Sequence, residues 1–166
     1  ERFYKLYKDD RRVVVPRVYS DLTGPRLLVM EHVGGVKIND LAGLAQLGVD
    51  PAAVARRGAE LFLEQVFIHG LFHGDPPPGN LFVLPGCRIG MIDFGVVGRL
   101  DEETVDAMAD LFIGVTTRNV DRIIDGLVRI GALDDVETSA LAQDLTDMLD
   151  RYYGKPLKEL AMGLIV

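Results

Sequence analysis

The stretch from Asn80 to Asp93 constrains the fold more than any other part of the chain. Two strand-like runs, Leu81-Phe82-Val83-Leu84 and Arg88-Ile89-Gly90-Met91-Ile92, are separated by Pro85-Gly86-Cys87. Short apolar runs joined by a Pro-Gly turn predict a β-hairpin. A hairpin brings the chain back on itself. Asn80 and Asp93, thirteen positions apart, are therefore expected close together.

The densest polar cluster lies just before the hairpin: His73-Gly74-Asp75-Pro76-Pro77-Pro78-Gly79-Asn80. Asp93-Phe94-Gly95 follows just after it. Phosphoryl transfer needs a carboxylate near the nucleophile and hard oxygen ligands for Mg²⁺. A loop with Asp75 at one end and Asn80 at the other can aim both into one cleft, and the hairpin delivers Asp93 to the same place. Gly95 lets the backbone turn sharply after the acid. Taken singly, each of these residues reads as a turn or cap residue. The joint spacing is what points to a site.

The flanking segments read as a little β and much α. Residues 13–19, β-branched and interrupted by Pro16, suit an extended edge segment. Residues 26–31 suit a buried strand, and Gly34-Gly35 breaks the chain after it. A short helix is expected over about 39–47. Asp50 and Pro51 start a longer one, with Val54, Leu61, Phe62, Val66 and His69 on one face and Gly70 as its stop. After Leu100 only helices are expected. Asp101 caps one carrying Val105, Met108, Ala109, Phe112 and Val115. Asn119 caps another, a third covers about 135–153, and a fourth starts at Pro156. Its stripe of Leu157, Leu160, Leu164 and Ile165 reads as core.

Composition narrows the class. The 166 residues hold 18 Lys+Arg and 25 Asp+Glu, a net charge of −7, with 48% apolar residues. This is a folding composition, not a disordered one. The negative balance argues against nucleic acid as a partner. Residues 101–150 alone hold thirteen acids and three arginines, read as solvated helix faces. One cysteine, Cys87, excludes a disulfide framework within the chain and reads as a plain surface thiol. His32, His69 and His73 fit no common zinc spacing. No run of about 20 apolar residues is present. Glu1 and Gly163-Leu164-Ile165-Val166 look like cut ends.

His73-Gly74-Asp75, Asn80 and Asp93-Phe94-Gly95 together look like the catalytic loop and metal-binding turn of the protein-kinase-like fold. The approach Gln65–Asp75, the exit Val96-Val97-Gly98-Arg99-Leu100 and the upstream Val15–Tyr19 and Leu28–Glu31 resemble the UbiB-type atypical kinases, over about 13–130. The resemblance implies an α+β, mainly helical fold: a kinase-like large C-terminal lobe with a short hinge strand segment and a catalytic-loop hairpin. Residues 1–35 would end the small lobe and form the hinge strands, and 36–166 would form the large lobe, truncated at both ends. It implies Asp75 as catalytic base and Asn80 and Asp93 as Mg²⁺ ligands. Glu31, His32 and Val33 would meet the adenine of ATP through backbone groups, with Met30 lining the back of the pocket and His73 supporting the loop.

The implied activity is an ATP- and Mg²⁺-dependent kinase or ATPase in a longer parent, with the isolated chain inactive. The implied role is in isoprenoid-quinone (ubiquinone) biosynthesis. Nucleotide is the implied ligand, and isoprenoid lipid or quinone-biosynthesis proteins are the implied partners. The expected location is cytoplasmic, with room for membrane association through segments outside this chain. Some positions depart from the family. Pro77 stands where a histidine is common, which stiffens the loop and removes a donor. Position 74 is Gly, and no Ala-Pro-Glu follows Asp93-Phe94-Gly95. A glycine- or alanine-rich phosphate loop, its strand lysine and a Lys-x-Gly-Gln segment are expected upstream of Glu1. Two alternatives share part of the pattern: a small-molecule phosphotransferase of the aminoglycoside or choline type, and a nucleotide-binding pseudokinase module.

Overall fold

The computed structural model describes residues 1–133 and 138–154. The chain forms two compact units, Glu1–Arg99 and Leu100 onward.

The first unit opens with α1 (Arg2–Tyr7) and a two-residue strand β1 (Val13–Val14). After β2 (Val36–Lys37) come α2 (Leu41–Gln46) and the long α3 (Pro51–Phe67). Asp50 caps α3 by accepting from Ala52 N–H at 3.0 Å, and Pro51 occupies the first turn, where no N–H is needed. Strand β3 (Leu71–His73) leads to the loop, and β4 (Leu81–Leu84) and β5 (Arg88–Met91) form the expected hairpin. Leu81 pairs with Met91 and Leu84 with Arg88. A four-stranded sheet results, in the order β1-β5-β4-β2, with β1 parallel to β5 at one edge. Strand β6 (Val97–Arg99) returns antiparallel to β3, His73 opposite Val97.

The core of this unit gathers Phe3, Tyr7, Val13, Leu44, Val54, Leu61, Val83, Ile89 and Met91. Residues from before and after position 35 thus share one core. Tyr7 is buried deeply enough that its phenol pKa is pushed up to about 12.

Three local expectations change. Residues 26–31 are not a buried strand: Leu27 and Leu28 are 62% and 59% exposed. The segment pairs with residues 17–24 through the isolated bridges Val18–Met30 and Gly24–Leu27 and a few single hydrogen bonds such as Tyr19 N–H to Val29 O, so no sheet covers its apolar side chains. On α3 the buried face is Val54, Leu61, Gln65 and Val66, while Phe62 is exposed and His69 lies beyond the helix. At 100° per residue Gln65, four after Leu61, shares its face, while Phe62 stays exposed with its ring edge-on to Phe72 at 6.4 Å. On α4 (Glu102–Thr117) the buried positions are Ala107 and Gly114, while Phe112 and Val115 are exposed.

The second unit is helical where described: α4, α5 (Val120–Arg129) and α6 (Thr138–Tyr152). Asp101 accepts from Thr104 N–H at 2.8 Å and Asn119 from Arg122 N–H at 3.0 Å, so both expected caps form. Small residues explain why large ones on α4 are displaced. A Cβ at Gly126 would sit 2.9 Å from Leu111 Cβ and 3.0 Å from Ala107 O, so α5 packs backbone-close on α4. Asp110 takes Arg122 and Arg129, each at 2.6 Å, and these guanidinium groups hold its carboxyl below its ordinary range. The helix expected from Pro156 and the start of the one expected at 135 lie outside the described residues. Among the described residues no helix is long and apolar enough to cross a membrane.

Candidate active site

Helix α3 places the floor of the site. Gln65, 4% exposed, turns its Oε1 to accept the His73 N–H at 2.9 Å. His73, 3% exposed, sits at the end of β3. Its Nδ1 accepts the Asp75 N–H at 3.3 Å, and its Nε2 lies 2.5 Å from the Asp93 carbonyl oxygen. An amide N–H can only donate and a carbonyl only accept, so the ring is the Nε2–H tautomer. One imidazole thus ties the loop to the turn after the hairpin.

The loop is closed by its own backbone. Gly74 N–H donates to Val96 O at 2.9 Å, and Asn80 N–H to Pro77 O at 2.9 Å, forming a 3₁₀ turn over Pro78–Asn80. The hairpin then brings Asn80 and Asp93 together: Asn80 Nδ2 donates to Asp93 Oδ2 at 2.9 Å. Ile92 N–H reinforces the pair by donating to Asn80 O at 3.2 Å. Asp93 Oδ1 accepts from Gly95 N–H at 2.8 Å. Phe94 packs on Phe3 and His73, ring centroids 4.7 and 5.7 Å apart, which pins the turn to α1.

Asp75 is exposed, and its carboxylate has no hydrogen-bond partner among the described residues. Asn80 uses an amide N–H on Asp93, leaving its Oδ1 and the Asp93 carboxylate as hard oxygen donors of the kind divalent cations take. A cleft of about 320 Å³ opens beside Asp93, lined among others by Val15, Val18, Met30, Ile92 and Gly95. Met30 therefore shares a cavity with Asp93. Glu31, His32 and Val33 do not line it. Glu31 accepts the Arg17 N–H at 2.9 Å on its carboxylate and donates its own N–H to Arg17 O at 2.9 Å. His32 is exposed, and the Val33 side chain is buried next to Gly90.

Two contributors lie outside the motifs. Gln65 is signalled in the sequence only as a polar residue at a core position of an otherwise apolar helix face. Phe3, on a six-residue helix, carried no such signal.

The family model for the ABC1 atypical kinase-like domain matches residues 1–127. The chain belongs to the ABC1 atypical kinase-like family. This ABC1-like chain is 38% identical over 135 residues to the Arabidopsis thaliana protein Activity of BC1 complex kinase 8, chloroplastic, covering 80% of the chain and 18% of that protein. It is 33% identical to a probable protein kinase UbiB of Cronobacter sakazakii, covering 96% of the chain and 30% of that protein. Among solved structures, Rv3197 of Mycobacterium tuberculosis in complex with erythromycin aligns at a TM-score of 0.60 and 25% identity, over 90% of the chain and 37% of Rv3197. The ABC1-like chain thus spans less than a third of the relatives named UbiB or BC1 complex kinase. The mixed α and β architecture is that of a protein-kinase-like lobe.

Proposed function

We propose that the chain is the hinge and large lobe of an ATP- and Mg²⁺-dependent atypical kinase or ATPase that serves isoprenoid-quinone biosynthesis. The observation that carries this reading is the Asn80–Asp93 pair at 2.9 Å, with Asp75 joined to the same aspartate through His73. The donor set fits Mg²⁺. Among the described residues no three His, Cys, Asp or Glu side chains gather as a ligand set, and Mg²⁺ commonly takes one or two protein oxygens with phosphates and water. Asn80 Oδ1 and the Asp93 carboxylate are those oxygens in this reading.

Asp75, exposed at the loop, takes the proton from the attacking hydroxyl or water. A Mg²⁺ ion held by Asn80 and Asp93 would supply charge neutralisation on the phosphoryl oxygens. The adenine lies along Met30–Val33. The N–H groups of His32 and Val33 have no partner among the described residues, and Met30 lines the cleft beside Asp93. In this reading residues 1–35 belong to the hinge side and 36–166 to the large lobe, and the phosphate-gripping parts come from elsewhere in a longer protein. The UbiB name of several relatives supports the quinone role. The site would work at the cytoplasmic face of the membrane that holds such lipids.

In the full-length protein, Asp75→Asn is expected to keep Mg²⁺·ATP binding and lower turnover by about 100-fold or more, the ordinary contribution of a general base. Asp93→Ala is expected to abolish the Mg²⁺ dependence of nucleotide binding. Unchanged ATP hydrolysis in Asp75→Asn sinks the base assignment. Normal quinone levels in cells lacking the protein sink the biosynthetic role.

A further inference from the structure

We propose that Gln65 is the positioning residue for Asp75, acting through His73. The proposal rests on the assignment of Asp75 as base. Helix α3 is fixed at this point, because the neighbouring Glu64 is held by Arg12 at 2.6 Å. From that anchor Gln65 Oε1 accepts the His73 N–H. Both residues are buried, so water is a poor substitute for the missing acceptor. The amide orientation is forced, since only its oxygen can face an N–H.

Two bonds leave the His73 ring, and they differ in consequence. Asp93 has independent support, its carboxylate held by Asn80 and by Gly95 N–H. Asp75 has less. Its carboxylate is unpartnered among the described residues, its N–H goes only to His73 Nδ1, Pro76 after it has no N–H, and the nearest other tie is the Gly74 N–H on Val96 O, one residue before it. A displacement of His73 is therefore resisted at Asp93 and passed on to Asp75. The expected signature is a loss of turnover without a loss of Mg²⁺·nucleotide binding.

The test uses the full-length protein. Gln65→Met keeps the length and removes the acceptor. It is expected to lower kcat by roughly 10- to 100-fold, the scale of a small misplacement, with KM for Mg²⁺·ATP within about threefold of the unaltered protein. Gln65→Glu restores an acceptor oxygen at the same reach and is expected to recover most of kcat. Long-range ¹⁵N–¹H spectra should show a single Nε2–H tautomer for His73 in the unaltered protein and a mixture in Gln65→Met. Unchanged kcat and tautomer in Gln65→Met overturn the proposal, as does Gln65→Glu behaving no better than Gln65→Met. If Gln65→Met does not fold, hydrogen exchange at the His73 amide of the unaltered protein decides: slow exchange supports the link, and fast exchange overturns it. Absence of turnover in the unaltered protein rejects the kinase reading instead, and leaves the tautomer and exchange results to judge the Gln65–His73 link.

Discussion

At the scale of single residues, two helical glycines ask the same question and give opposite answers. Alanine is favoured over glycine inside a helix by about 0.8–1.0 kcal/mol. At Gly58, on α3, an added Cβ meets nothing within 4 Å. The propensity term acts alone there, and Gly58→Ala is expected to stabilise by up to about 1 kcal/mol. At Gly126 the added Cβ meets Leu111 Cβ at 2.9 Å, Ala107 O at 3.0 Å and Leu111 N at 3.1 Å. Two of these are backbone atoms, so the helices must separate rather than a side chain swing aside. Overpacking of this kind costs about 1–3 kcal/mol, which exceeds the propensity gain. Gly126→Ala is therefore expected to destabilise. Urea titration of both variants checks the pair, and the same sign in both would refute the packing argument.

At the scale of elements, the joint between α3 and the segment before β1 is made by charge. Arg12 reaches Glu64 with Nη1 at 2.7 Å and Nη2 at 2.6 Å, and Asp10 with Nη2 at 2.8 Å and Nε at 3.1 Å. Its carbonyl also accepts from Ile89 N–H at 2.9 Å, so the same residue holds β5. Hydrogen bonding to the Arg12 guanidinium lowers the pKa of both Glu64 and Asp10. The unfolded chain takes up these protons first as pH falls. The stabilisation is complete above the ordinary carboxylate values of 4.5 and 3.8, and is lost as pH drops through the lowered folded values. Arg12→Ala is expected to cost about 1–2 kcal/mol at pH 7, between an exposed pair and a charged hydrogen bond. It should also flatten the fall in thermal midpoint between about pH 5 and 2, measured by circular dichroism. A variant as acid-sensitive as the parent would remove this clamp from the account.

Elements of this kind also show what the sequence could convey. Helices α3, α4 and α5 were legible because each start carries a capping side chain, Asp50, Asp101 and Asn119, that makes its bond in the structure. The hairpin was legible because its turn and both runs are local. Helix α1 and the β3–β6 pair were not. Helix α1 starts without a capping side-chain bond, strands β3 and β6 are three residues each, and only tertiary partners such as Phe94 and Val97 fix them. The run 26–31 misled for the converse reason. Its apolar character is real, but burial depends on a covering surface that no local pattern reports.

At the scale of the whole molecule, the site was legible as a set of residues and obscure as a set of supports. Asp75, Asn80 and Asp93 were marked by spacing, and the structure joins them through a pair and an imidazole. Gln65 and Phe3 act from elements read only as scaffold. The cleft itself carries a last prediction. Its lining includes Glu1 and Asp93 and no lysine or arginine. Nucleotide phosphates would face the carboxylates of Glu1 and Asp93 there, with no basic side chain in the lining to offset them, so a divalent ion has to supply the main attraction. The 166-residue chain alone is therefore expected to bind ATP more weakly than about 1 mM, or about 4 kcal/mol, and only with Mg²⁺. Isothermal titration with and without Mg²⁺ measures this directly. Micromolar affinity, or binding that survives chelation of the metal, would mean that the chain grips phosphates through groups other than Asn80 and Asp93.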